Sequence, residues 1–136
     1  MKKSLFVIFL LLCITGCQAQ TEPIILKQIT LSEAYPGDIL EVNKIELLDG
    51  SSGERKIIKN QAEIQSWIKL IKDIELTPDE NQEGRTGFIF GISLINGDDK
   101  IFGFGPHQMN KIYYKNNPEF EGHIRVFFED QFGREF

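Results

Sequence analysis

The sequence has no cysteine beyond position 17, since Cys13 and Cys17 both fall in its opening stretch. Whatever folds downstream has no disulfide, no thiolate for a metal and no thiol nucleophile. Histidine is nearly as scarce, with only His107 and His123. A zinc site needs a third and usually a fourth ligand, so these two point to surface or locally hydrogen-bonded roles and to no metal. Positive charge is short as well: fifteen Lys and Arg face twenty Asp and Glu, for a net −5. Without a dense Lys/Arg cluster, that balance repels nucleic acid and argues against it as a partner. No apolar run after residue 16 reaches the ~20 residues that cross a bilayer. Internal repeats and low-complexity tracts are missing too.

What the opening stretch does have is a charge, a short apolar core and a motif. Lys2 and Lys3 precede ten residues, Leu5 to Ile14, drawn only from Leu, Phe, Val, Ile and Cys. That length suits the ~7–15-residue core of an export signal. The run closes on Ile14-Thr15-Gly16-Cys17, which resembles the lipobox of bacterial lipoprotein signals. Small residues let the Gly16–Cys17 bond enter a narrow protease site, and the Cys17 thiol is the nucleophile that would carry a diacylglycerol. A further acyl chain on the freed amine would complete a stable two-chain anchor. The alternative is ordinary secretory cleavage after Ala19, which would discard Cys17.

The lipobox reading divides the chain into a signal peptide over 1–16, a polar tether over 17–23 and one globular domain over 24–136. It expects a protein held at the cell membrane on its extracytoplasmic side. Gln18, where an Asp would signal inner-membrane retention, favours the outer membrane if the cell has one. Cleavage would remove two of the basic residues and no acidic ones, leaving 120 residues with net −7. That is enough chain for one core. Nine Phe, three Tyr and Trp67 supply the packing material. Seven tether residues reach at most ~25 Å, so the domain would sit close to the membrane.

Periodicity predicts the elements. Ile24–Leu31 reads as a strand, and Tyr35-Pro36-Gly37-Asp38 as a turn. Ile39–Leu48 reads as a second strand whose alternation changes phase near Asn43-Lys44, as a bulge would. Asp49 to Gly53 turns the chain, and Arg55–Lys59 pairs back. Asn60 with Glu63 resembles a capping box before Ile64, Trp67, Ile68, Ile71 and Ile74, a helical stripe. Phe88, Phe90, Ile92 and Leu94 alternate as a strand, and Asn96-Gly97 supplies a hairpin turn to Ile101–Phe104. After a turn at Pro106–Asn110, Lys111–Lys115 forms a further strand. Asn117-Pro118 opens a last helix with Phe120, Ile124, Phe127, Phe128 and Phe132 on its stripe. The order predicts an α+β fold: an antiparallel sheet of about five or six strands with two helices on one face.

Tests for chemistry come back weak. Asp79, Asn81, Glu83 and Gly84 match the early positions of a calcium loop, but position twelve, which needs a bidentate acid, is Phe90. A solvated acidic turn fits better. Ser51-Ser52 between Gly50 and Gly53 lacks the strand-to-helix setting of a nucleophile elbow and reads as a hairpin turn. Gly103-Phe104-Gly105-Pro106 lacks the following helix of a phosphate cradle; its glycines instead admit a close neighbour or relieve crowding. No catalytic constellation and no cofactor site emerge. Phe88, Phe90, Phe102, Phe104, Tyr113 and Tyr114 leave two options open. All six are core beneath the helices, or some line an exposed groove on the sheet.

From about Lys44 onward the chain resembles small uncharacterised lipoproteins of low-GC Gram-positive bacteria. The shared features are Ser52-Gly53-Glu54, the Ile64/Ile68/Ile71 helix, Gly87-Phe88-Ile89-Phe90 and Tyr113-Tyr114 before a final helix. The resemblance implies compartment and fold and attaches no activity. The leading expectation is a non-enzymatic, membrane-anchored module binding a protein partner or a small ligand. Two alternatives stand beside it. One is an envelope hydrolase using carboxylates alone, such as Asp79, Glu83, Asp98 or Glu119; the other is an inhibitor or immunity-like protein whose acidity suits a basic target.

Overall fold

The structure, a computed structural model, describes residues 26–136 without the side chains of residues 100 and 101. The expected signal peptide, Cys17 and the tether lie outside the described residues, as do residues 24 and 25 of the first expected strand.

The described chain is α+β, as expected. In order it forms β1 (Ile29–Thr30), α1 (Leu31–Ala34), a 3-10 turn (Ile39–Glu41), β2 (Lys44–Asp49), β3 (Arg55–Ile58) and α2 (Gln61–Ile71). There follow β4 (Glu75–Leu76), β5 (Phe90–Asn96), β6 (Asp99–Gly105), β7 (Gln108–Met109), β8 (Ile112–Tyr113) and α3 (Pro118–Phe132). Six strands make one antiparallel sheet in the order β3-β2-β5-β6-β7-β8, while β1 and β4 pair separately.

The two long helices start where their caps are. Asn60 Oδ1 accepts from Glu63 N at 3.1 Å, and Asn117 Oδ1 accepts from Phe120 N at 3.1 Å, each satisfying a first-turn amide. Gly133, at φ +68, ends α3 in the left-handed conformation that glycine tolerates. Trp67 of α2 stacks on Phe127 of α3 at 4.3 Å between centroids. Phe120 and Phe128 then dock α3 on Phe104 and Phe90 of the sheet, at 6.1 and 4.8 Å. The core therefore lies between one sheet face and two helices.

Five expectations are corrected. Thr30 does not continue a strand to Leu31. Its hydroxyl accepts from Glu33 N and its own N–H donates to Glu33 Oε2 at 2.9 Å, a capping box that starts α1. The expected strand from Ile39 begins only at Lys44, because Asp38 Oδ1 accepts from Leu40 N at 2.9 Å and caps the 3-10 turn. The phase change near Asn43 marks that junction rather than a bulge; the register irregularity falls at Leu94/Ile95 against β6. Phe88 stands outside β5, and the last strand spans only Ile112–Tyr113.

Candidate functional site

Two neighbouring strands carry a large-small alternation. β5 reads Phe90-Gly91-Ile92-Ser93-Leu94, and β6 contains Phe102-Gly103-Phe104-Gly105. Because strand side chains alternate faces, Phe90, Ile92, Leu94, Phe102 and Phe104 all turn into the core and are buried. The opposite face of the same strands receives Gly91, Ser93, Gly103 and Gly105; the Phe88 ring and Leu48 crowd Gly91, while the backbone at Gly103 is open. On β2 the alternation continues, with Ile45 and Leu47 buried and Glu46 and Leu48 half-buried on the open side. Register aligns Glu46 with Ser93 and Leu48 with Gly91, and Ser93 with Gly103 across β6.

A strap of chain, residues 77–89, closes one end of this open face. It is pinned at the β8 edge, where Asp79 N donates to Tyr113 O and Lys115 N donates to Thr77 O. The Gln82 amide exchanges two hydrogen bonds with the Tyr113 backbone, at 2.8 and 2.9 Å, and so covers the unpaired edge of β8. The strap reaches the β2 side at Ile89, whose carbonyl accepts from Gly50 N at 2.8 Å. Gly50 has to be glycine: a Cβ there would sit 1.9 Å from the Phe88 carbonyl oxygen.

Between floor, strap and edges runs a groove of about 710 Å³. Its volume lies within the ~300–1,000 Å³ of small-molecule sites. Phe88, 56 % exposed, and Ile89 form an apolar lip. The charged lining comprises Arg55, Arg85, Lys111 and Arg125 against Glu46 and Glu121, with His107 beside them. Arg55 pairs with Glu46 across the β2–β3 hairpin. Arg85 lies over the Tyr113 ring at 4.6 Å and bonds Asp79 at 2.7 Å. That hydrogen bond, with one from Asn81 N, holds the Asp79 carboxyl below its ordinary range. Arg125 bonds Glu121 at 3.0 Å and donates to the Phe136 carbonyl, and Glu121 lies 3.6 Å from His107 Nε2. Lys111 and Asn110 form the β7–β8 turn with φ of +64 and +50. Asparagine tolerates that region, whereas lysine is strained in it.

A second charged cluster lies at the other edge of the covered face. Asp49, fully buried, accepts from the Ser51 amide and hydroxyl at 2.8 and 2.6 Å and from Ser52 Oγ at 2.7 Å. Arg134 completes the shell. Hydrogen bonds from Ser51, Arg134 and Ser52, in that order, keep its carboxyl well below the usual range despite burial. Ser51-Ser52 is a turn, as the sequence suggested, and its hydroxyls serve Asp49.

The aromatic question resolves unequally. Phe90, Phe102, Phe104 and Tyr114 are core, Tyr113 is half-buried beside Arg85, and Phe88 is exposed on the groove. The four carboxylates considered for hydrolysis do not meet in the groove. Asp79 is engaged by Arg85, Glu83 is exposed on the strap, Asp98 lies in the β5–β6 turn and Glu119 in the first turn of α3. His123 lies away from the groove, its carbonyl accepting from the Trp67 indole at 3.3 Å. Among the described residues no three His, Cys, Asp or Glu cluster as metal ligands do, and no helix is long and apolar enough to cross a membrane.

Sequence reasoning missed the arginines of the groove. Arg55, Arg85 and Arg125 are scattered over 70 positions and form no local cluster; the one legible signal was the large-small alternation of β5 and β6. No family model, curated protein or solved structure matches the chain.

Proposed function

We propose that the chain is an extracytoplasmic lipoprotein, tethered by lipid on Cys17, whose domain binds a ligand on the open face of its sheet and carries out no reaction of its own. The tether rests on the lipobox-like Ile14-Thr15-Gly16-Cys17 after a charged, apolar leader. The binding reading rests on one observation: the central strands present small residues on one face, and a strap and flanking side chains wall that face into a groove. At Gly103 a side chain that would fill the space is withheld, while the residues of the opposite face are buried. The hydrolase reading loses weight because none of its four carboxylates lines the groove. An inhibitor of a basic target would not use this groove, whose cations outnumber its carboxylates.

Two measurements test the proposal. Metabolic palmitate labelling should mark the wild-type chain and not Cys17→Ser, which should leave the membrane fraction; a label unchanged by that substitution would sink the tether. Native mass spectrometry of protein purified from its own envelope should detect an adduct on wild type. Gly103→Leu, which places a side chain on the groove floor, should abolish it. An adduct equally abundant on both forms would remove the groove as its site.

A further inference from the structure

Resting on the reading of the open face as a binding groove, we infer that its ligand is a small organic oxyanion, bearing carboxylate or phosphate groups on a partly apolar body. The sequence holds four arginines, and three of them, Arg55, Arg85 and Arg125, come together on this one groove. They arrive from β3, the strap and α3, so chain proximity does not explain their meeting. Lys111 adds a fourth cation, for which no described carboxylate is a partner. Four cations and two carboxylates line the groove, and Asp79 behind Arg85 brings the acids to three, so the site keeps one positive charge in a chain of net −5, with Lys111 as its source.

Arginine is the residue suited to this chemistry, because its planar fork of five donors matches the oxygens of carboxylate and phosphate. Each guanidinium here is held by a neighbouring carboxylate yet keeps donors to spare. Arg55 uses Nη1 for Glu46, and Arg85 uses Nη2 for Asp79 and the Asn81 carbonyl. Arg125 divides its two terminal nitrogens between Glu121 and the Phe136 carbonyl. Their side chains remain 54, 40 and 37 % exposed, so an incoming anion can reach them. The pairs thus fix the direction of the forks before a ligand arrives, which lowers the ordering cost of binding. At Gly103 the floor is open, a Cβ there meeting only the Ile92 carbonyl oxygen at 3.8 Å, so a flat body can approach the backbone, and the Phe88 ring over Gly91 offers an apolar surface beside it.

The test is calorimetric titration of the full chain in detergent with pyrophosphate, with citrate and, separately, with phosphatidylglycerol vesicles. Saturable binding of a soluble anion, weakening as sodium chloride rises from 50 to 500 mM, is expected. Arg85→Gln and Lys111→Gln should each weaken it by about tenfold, the loss of one charge-assisted contact. Gly103→Leu, which leaves every charge in place, should abolish it. Binding only to vesicles would overturn the small-molecule assignment. No saturable binding to any probe would overturn the oxyanion assignment while leaving the groove open to a neutral ligand, which the native-mass adduct would then reveal. Binding blocked by Gly103→Leu but indifferent to both charge substitutions would likewise reject the oxyanion and keep the groove. Binding lost with the charges yet untouched by Gly103→Leu would place the site elsewhere and reject both readings.

Discussion

The two faces of the central strands are built from alternate residues of the same short segments, yet they share almost no chemistry. On the helix side, Phe90, Ile92, Leu94, Phe102 and Phe104 are buried, with Phe90 and Phe104 against Phe128 and Phe120 of α3. On the other side, Gly91, Ser93, Gly103 and Gly105 bring little or no side chain, Phe88 lies over Gly91, and arginines gather around them. A one-residue offset separates the set that holds the fold from the set that faces the groove. The comparison teaches that stability and recognition can be written into one strand without competing for positions. Glycine inside a strand weakens it, so a run of small residues on one face has a cost that the opposite face must offset.

The comparison can be broken most severely from the covered face. Phe128 is fully buried and meets Phe90, Phe132 and Phe136 at ring distances of 4.8 to 5.6 Å. Phe128→Ala should cost about 3–5 kcal/mol in urea unfolding, from lost burial plus a cavity. A cost below about 1 kcal/mol would mean that this face does not carry the core.

Asp49 occupies the covered side of β2, in step with Ile45 and Leu47, and is the polar end of that row. Replacing it by Asn leaves Arg134 and two serines without their shared carboxylate and should lower Tm by about 10 °C at pH 7. Its folded pKa lies well below the unfolded one, so its contribution is complete above pH ~4, begins to shrink below that value, and is lost in full only once pH has fallen past the folded pKa. The Tm gap between wild type and Asp49→Asn should therefore hold from pH 7 to about pH 5 and be measurably narrower, though not closed, at pH 3. A gap that stays constant over that range would contradict the assignment.

On the open face the effects should be small. Lys111 sits at the groove rim with φ +64, where glycine is unstrained. Lys111→Gly should raise stability by about 0.5–1 kcal/mol, read from denaturant midpoints, while removing one cation from the groove. A loss of stability would show that the lysine side chain supports the fold rather than the site.

Legibility in the sequence follows the same division. The helices at 61–71 and 118–132 were readable because their caps, Asn60 and Asn117-Pro118, act within one turn. The 55–58 hairpin and the Asn96-Gly97-Asp98-Asp99 turn were readable for the same reason. Near the described N-terminus the same local logic was present and overlooked. Thr30-Leu31-Ser32-Glu33 is a capping box that outweighed the apolar spacing of a strand. Phe88 kept the alternation of β5 and so read as core, but β5 begins only at Phe90, and the Phe88 ring lies over Gly91 on the open face. The alternation of small residues was visible, and its meaning required knowing which strands are neighbours. The meeting of Arg55, Arg85 and Arg125 was beyond local reading, since only the tertiary fold brings β3, the strap and α3 to one place.

The most direct test of this division is the equilibrium unfolding of Gly103→Leu in urea. A Cβ at Gly103 would meet only the Ile92 carbonyl oxygen, at 3.8 Å, so the floor has room for a side chain. An unfolding free energy within about 0.5 kcal/mol of wild type, or slightly above it, is the predicted result. A loss of about 2 kcal/mol or more would mean that the open face is part of the packed structure, and would contradict a face held in reserve for a ligand.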